Sequence, residues 1–268
     1  MMQQILNAFD VASKDALKQL ADALTEFSGA VKHELESARP RAIAAKDDDA
    51  QIQLDAALFD SAPTLAVPKH AQFEALQEVG HRFLAAADGI FVEIRRPWLH
   101  LIRQVSKFAP DGPRPPYGTV EGKCEMAFGR LPAALPLIAG FAIEARDNLP
   151  NEHAAWIVWN DQSQLLEYMA LQPSEVSPGH IKYERPKLAA HLSLVVDIHS
   201  HGTAPAYFSE TDDQDDLGEV KLACVVGNLG EEGNTPSIEM RLCALGLNIP
   251  IKVSSADVFK SWEATHVA

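Results

Sequence analysis

The chain opens on a helical pattern. Between residues 2 and 37, Leu6, Phe9, Leu17, Leu20, Leu24, Phe27 and Val31 recur mostly at three-four spacing, and from Leu17 to Val31 they form a heptad seam. The seam suits a coiled coil or docking helix, and equally a helix packed on its own domain. Pro40 ends it, and residues 41–63, with the run Lys46, Asp47, Asp48 and Asp49, read as a solvated linker. From residue 64 the period shortens to that of strands. Arg82 to Ala86 and Ile90 to Arg95 flank Asp88-Gly89, a hairpin signal. Trp98 to Phe108 predicts a further strand, Ala109 to Gly118 a proline-rich loop, and Thr119 to Phe128 a strand alternating around Val120, Cys124, Met126 and Phe128. Pro132 to Asn148 predicts a helix stopped by Pro150. Strands are then expected over Ala154 to Trp159, Leu165 to Leu171, His191 to Ile198, Val220 to Val226, Ser237 to Leu245 and Ile249 to Val253. Ser254 or Ser255 is placed to cap a short last helix around Val258. This order argues an α/β or α+β layered domain. It divides the chain into a helical extension (1–40), a linker (41–63), a strand-rich segment (64–118) and a larger domain (119–268).

With 47% hydrophobic and 22% charged residues, the chain can bury a core without metal or disulfide staples, so a metal would serve chemistry rather than folding. The net charge of -14 repels phosphate backbones and argues against direct nucleic-acid binding. Cys124, Cys224 and Cys243 form no CxxC pair and read as buried free thiols. The sequence has no signal-peptide pattern and no apolar run of membrane-spanning length, so a cytoplasmic protein without a membrane span is expected.

The candidate chemistry lies in His199-Ser200-His201 and, after seven residues, Ser209-Glu210-Thr211-Asp212. Side chains two apart on a strand share a face, so His199 and His201 can aim at one point. Ser209 sits where a helix N-cap is expected, which puts Asp212 on the first turn, facing the histidines. Two imidazoles and one carboxylate suit a tetrahedral zinc ion with one position left for water. Such a site activates water and polarises a carbonyl, and it needs a second carboxylate to shuttle the proton. Ser209 is placed to donate to a developing oxyanion. Beyond Asp212, the acidic residues Asp213, Asp215, Asp216 and Glu219 read as a solvated helix face, and His100, His180 and His191 as structural histidines. No phosphate loop and no cysteine-protease pairing for Cys124 is found.

At His199, Ser200, His201, Ser209 and Asp212 the chain resembles the JAMM (JAB/MPN+) metallopeptidases, which share H-[ST]-H-x(7)-S-x-x-D. The stretch from His199 to Gly227, and Phe83 to His100 with Arg95-Arg96-Pro97-Trp98, are similar to the protein A family of bacterial PRTRC cassettes. The resemblance implies a three-layer JAMM/MPN-like domain with a mixed central sheet flanked by helices. It further implies a zinc-dependent peptidase or isopeptidase acting at the C-terminal tail of a ubiquitin-like protein, with an activating-enzyme-like protein as a second partner. A catalytic glutamate is expected where the helix gives way to the first central strand. Glu152 stands there, with Glu144 and Glu121 as rivals. Where many members carry Pro, this chain has Gly202 and Phe208. JAMM-like domains also serve as catalytically inactive scaffolds, which is the alternative reading. A third has the heptad seam, residues 6–35, doing the main work as an oligomer contact.

Overall fold

The computed structural model describes residues 2–3, 13–14, 17–30, 57, 60–230 and 235–266. The chain divides into two compact units, Met1–Ser61 and Ala62–Ala268. In the first, residues 17–30 are helical and Leu17, Leu20, Leu24 and Phe27 are exposed along the seam. Leu6, Phe9, Val31 and nearly all of the expected linker lie outside the described residues.

The second unit is built on two sheets. The first has the order β1 to β5: β1 (Thr64–Ala66), β2 (Gly80–Ala85), β3 (Gly89–Arg96), β4 (Leu99–Lys107) and β5 (Lys123–Met126). It is an antiparallel meander apart from the parallel β1–β2 pair. The Asp88-Gly89 hairpin forms as the sequence predicts. The strand expected over Thr119 to Phe128 is reduced to β5. Gly118 and Gly122 loosen its start, and Val120 turns instead into a satellite cluster with Val67, Leu84, Phe91 and Ile102.

The second sheet is mixed and six-stranded, in the order β13-β12-β11-β10-β6-β7. Its strands are β6 (Ala154–Asn160), β7 (Leu165–Ala170), β10 (Leu192–Ser200), β11 (Val220–Gly227), β12 (Ser237–Ala244) and β13 (Leu247–Ile251). Only β10 and β11 run parallel. A separate hairpin, β8 (Pro173–Ser177) and β9 (His180–Tyr183), was not expected from the pattern. Its strands are largely exposed and polar, and only the Pro178-Gly179 turn marked it.

Among the described residues, three helices complete the unit. A 3-10 turn (Leu131–Ala133) leads into α1 (Leu135–Asp147), followed later by α2 (Glu210–Asp215) and α3 (Ser255–His266). Ser254, not Ser255, supplies the side-chain cap of α3, accepting from Asp257 N at 3.1 Å. Helix α1 buries Leu135, Ile138, Phe141, Ala142 and Ala145 at helical spacing. These join Ile94 and Trp98 of the first sheet, and Ile157, Trp159 and Ile198 of the second, in one core. The architecture is α/β (α+β), mixed sheets with few helices on their faces, as the sequence implies.

The two faces of the second sheet differ in a way that decides where chemistry can occur. Even-numbered positions of β10 and β11, such as Val196, Ile198, Leu222, Cys224 and Val226, enter the core against α1. The odd-numbered positions Asp197, His199, Lys221 and Ala223 face a cavity on the other side. Trp98 joins the two sheets by stacking on Phe128, whose ring lies 6.3 Å from that of Trp159. Trp98→Ala is expected to cost about 3–5 kcal/mol, read as a lower urea midpoint at unchanged slope.

Candidate metal centre

Strand β10 carries His199 near its end, and His201 follows on the residue after the strand. Their Nε2 atoms lie 3.2 Å apart. Ser200, between them, points the other way and is fully buried. Its hydroxyl accepts from His153 N at 2.9 Å, and its own N–H donates to His153 O at 2.9 Å. The middle residue of the histidine pair therefore fastens the end of β10 to the segment that begins β6.

The loop from Gly202 to Phe208 returns the chain over β11. Gly202 adopts φ +55, which proline cannot reach, so its replacement of the proline common in JAMM proteins is a backbone requirement here. The loop lies directly on Gly227, where an added Cβ would sit 2.3 Å from Ala204 O and 2.4 Å from Ala206 N. Ala206 N also donates to Ser237 Oγ at 2.7 Å. Phe208 stacks its ring under Arg241, whose guanidinium carbon is 3.9 Å from the ring centre.

Ser209 then caps α2 in a capping box with Asp212. The Asp212 carboxylate is divided between two duties. Oδ2 accepts from both Ser209 N and Ser209 Oγ at 2.7 Å, while Oδ1 faces His199 Nε2 at 3.4 Å. One ligand atom from each of His199, His201 and Asp212 lies within 4.8 Å of the others. Bonds of about 2.0–2.1 Å at tetrahedral angles give ligand–ligand edges of about 3.3 Å. The two shortest edges here, 3.2 and 3.4 Å, fit that geometry, so these residues can hold a metal ion. Burial, reinforced by the neighbouring His201 and opposed by Asp212, lowers the pKa of His199 and favours the neutral, ligating imidazole. His201 Nδ1 is buried and unpartnered among the described residues, and Tyr207 packs edge-on against its ring at 4.5 Å.

Of the three candidate glutamates, only Glu152 lines the cavity, of about 970 Å³, that also takes in His199, His201, Ser209 and Asp212. Its backbone N–H donates to Ser177 O of the β8–β9 hairpin at 3.2 Å. Burial, and then the charge of Asp212, push its carboxyl up to about 7. Glu144 instead accepts from Tyr168 Oη at 2.6 Å and contacts His153 Nε2 at 3.3 Å, and Glu121 is exposed ahead of β5.

Two expectations are overturned. The acidic residues after Asp212 are not simply a solvated face. Asp216 is buried, with Oδ2 accepting from Arg241 Nη2 at 2.6 Å and Oδ1 paired with Lys221 Nζ at 2.9 Å, while Asp213 pairs with Arg241 at 2.5 Å. Burial alone would raise the Asp216 carboxyl, but Lys221 and Arg241 outweigh it and lower the pKa. Cys124 is exposed, because β5 is an edge strand with one neighbour, whereas Cys224 and Cys243 are buried. Burial and the nearby Asp216 push the Cys243 thiol up to about 12. His100 is structural as expected, held at 2.9 Å by the buried Glu93.

Pattern reading also missed Asp197, Lys221 and Arg241. A signal was present: Asp197 and Lys221 are each the one acidic or basic residue of a largely apolar strand, Arg241 shares β12 with only Glu239, and all three fall on the histidine-bearing face.

Two stretches of the chain match known family models. Residues 135–243 match the family described as prokaryotic homologs of the JAB domain, and residues 52–127 match a domain of unknown function, DUF2016. The first of these matched stretches takes in α1, the strands β6 to β11 and most of β12, and the histidine–aspartate cluster. No curated protein matches the chain. Among solved structures, the solution structure of protein DSY2949 from Desulfitobacterium hafniense is 14% identical, covering 44% of this chain and 86% of that one at a TM-score of 0.33, too distant to carry an argument.

Two outcomes follow from this geometry. Gly227→Ala is expected to destabilise the protein by about 1–3 kcal/mol, because backbone rather than a flexible side chain must move, and a thermal melt reads it. Glu152 has a folded pKa of about 7 against an ordinary 4.5, so its ionisation opposes folding as pH rises through that window. In metal-stripped protein, Glu152→Gln should match the wild type at pH 4 and exceed it at pH 8. Solvent screening of the part-exposed carboxylate limits the gain to about 1 kcal/mol by urea unfolding.

Proposed function

We propose that the JAB-type domain is a zinc-dependent peptidase or isopeptidase centre of the JAMM type, with His199, His201 and Asp212 as the metal ligands. The observation that carries this reading is the convergence of those three side chains on the wall of a cavity that Glu152 also lines. The donor set, two imidazoles and one carboxylate, favours zinc and leaves a position for water. A divalent cation held there supplies an activated water near neutral pH and polarises the scissile carbonyl.

The chain's own residues then move the proton. Glu152, with a carboxyl near 7, is suited to take a proton from water and return it to the leaving amine. Ser209 N–H and Oγ–H both serve the same Asp212 oxygen at 2.7 Å. The N–H alone can keep that oxygen in place, which frees the hydroxyl to turn and donate to the oxyanion. The cavity wall formed by the β8–β9 hairpin gives an extended chain a surface to lie along.

The substrate in this reading is the C-terminal tail of a ubiquitin-like protein, as precursor or conjugate. An activating-enzyme-like protein would be the second partner within a cytoplasmic PRTRC cassette, where nucleic acid is not a direct partner. Support for these finer assignments is the resemblance of the stretches Phe83 to His100 and His199 to Gly227. No helix among the described residues is long and apolar enough to cross a membrane. The exposed seam at Leu17, Leu20, Leu24 and Phe27 would serve as an oligomer contact.

Wild-type protein is expected to carry about one zinc per chain by mass spectrometry, and His199→Ala to lose it. Glu152→Gln should retain the metal while cleavage of a ubiquitin-like fusion at its C-terminal junction falls by about 10²–10⁴-fold. Metal-bound wild type that is as inert as Glu152→Gln would favour a scaffold. Absence of metal after zinc is added back would remove the enzyme reading.

A further inference from the structure

Asp197 on β10, Lys221 on β11 and Arg241 on β12 bring charge onto the sheet face beneath α2, and Asp216 reaches it from the end of that helix. Side-chain exposure is 12% for Asp197, 3% for Lys221, 7% for Arg241 and 5% for Asp216. Burying so many charges is costly unless they are closely paired, and apolar side chains would cover the same face at less cost. The pairing is close: Lys221 Nζ lies 2.7 Å from Asp197 Oδ2 and 2.9 Å from Asp216 Oδ1. Arg241 holds the other oxygen of Asp216 and reaches Asp213.

The positions of the two carboxylates give the bridge its meaning. Asp197 precedes His199 by two residues on a strand, so the two side chains share a face. Asp216 follows Asp212 by four residues, one helical turn along the same side of α2. Lys221 thus joins β10 to α2 one step inward from the ligands, spanning the same two elements that a bound metal would span. Helix α2 has little else to hold it. It is six residues long with no buried residue of its own, and so short a helix is unstable alone.

We infer that Lys221 is a positioning residue: a permanent internal cation that, through Asp197 and Asp216, holds β10 and α2 at ligand spacing before any metal is present. The inference rests on the zinc-centre reading. Its consequence is that part of the cost of ordering the ligands is met in folding, which raises metal affinity. Asp197 also accepts from Trp156 Nε1 at 3.1 Å and from Tyr183 Oη at 3.0 Å. The same anchor therefore fixes the base of the β8–β9 hairpin that walls the cavity.

The test measures zinc affinity of the full chain by chelator competition, together with the visible spectrum of the cobalt(II)-loaded protein as a report on ligand geometry. Lys221→Met, which keeps length and removes charge, should weaken zinc binding by about 10–100-fold and change the cobalt spectrum. Lys221→Arg, which keeps the charge, should recover most of the affinity. Leu84→Ala, in the satellite cluster of the first sheet, lowers stability without touching the bridge and should leave affinity unchanged. Should Lys221→Met fail to fold, Asp197→Asn removes one charge at constant shape and should act in the same direction. Affinity within about twofold of wild type and an unaltered cobalt spectrum in the folded bridge variants would overturn the inference while leaving the zinc centre standing. A wild-type chain that takes up no zinc would overturn both.

Discussion

The ion pairs that bind Asp216 to Lys221 and Arg241 are the constraint on which the site depends. They hold down a six-residue helix that has no apolar face of its own, and that helix brings Asp212 to within 3.4 Å of His199. The histidines need no such help, because β10 is interior to a six-stranded sheet and is paired on both sides. The histidine–aspartate cluster is therefore asymmetric. Its two histidines stand on or beside a rigid strand, and its aspartate is carried by a short helix secured through charge. The Gly227 contact and the Phe208–Arg241 stack secure the loop between them by close backbone approach and cation–π attraction.

The two faces of the second sheet make this arrangement affordable: one is apolar throughout, and the other sets a smaller apolar cluster over Ala154, Trp156 and Val158 of β6 beside the charged and histidine-bearing positions of β10 and β11. One face closes the main core against α1 with Ile157, Val196, Ile198 and Leu222. Stability of the fold is settled there, by burial. The opposite face is free to carry buried charge, two histidines and a cavity. Glu152 enters at the beginning of β6, tied to the same strand end through the paired hydrogen bonds of Ser200 and His153. Glu152 and the two histidines are thus referred to one piece of backbone, the kind of fixed placement that the proposed proton transfer would need.

Much of this was legible in the sequence because the physics is local. Period-two alternation and apolar runs located the strands of the second sheet and β2 to β4 of the first, with β5 inside a longer expected strand and β1 not singled out. The Asp-Gly turn located the β2–β3 hairpin, and the spacing of His199, His201, Ser209 and Asp212 picked out the side chains that the fold gathers into one cluster. Glu152 was singled out by the family resemblance rather than by local pattern, and the structure brings it to the cavity wall while Glu144 and Glu121 stand elsewhere. What escaped is non-local. The β8–β9 hairpin has almost no apolar signal, since its strands are exposed. The partners of Asp216 lie in β11 and β12, so the burial of that carboxylate depends on contacts that no window of adjacent residues contains. Cys124 was misjudged because alternation does not reveal whether a strand has one neighbour or two.

The most direct measurement of the central claim is zinc-edge X-ray absorption on the purified, zinc-loaded chain. The account predicts a first coordination sphere of nitrogen and oxygen only, at about 2.0–2.1 Å, with the outer-atom scattering of two imidazoles. A sulfur contribution near 2.3 Å, or the scattering of one imidazole or none, would contradict it and place the metal away from His199 and His201.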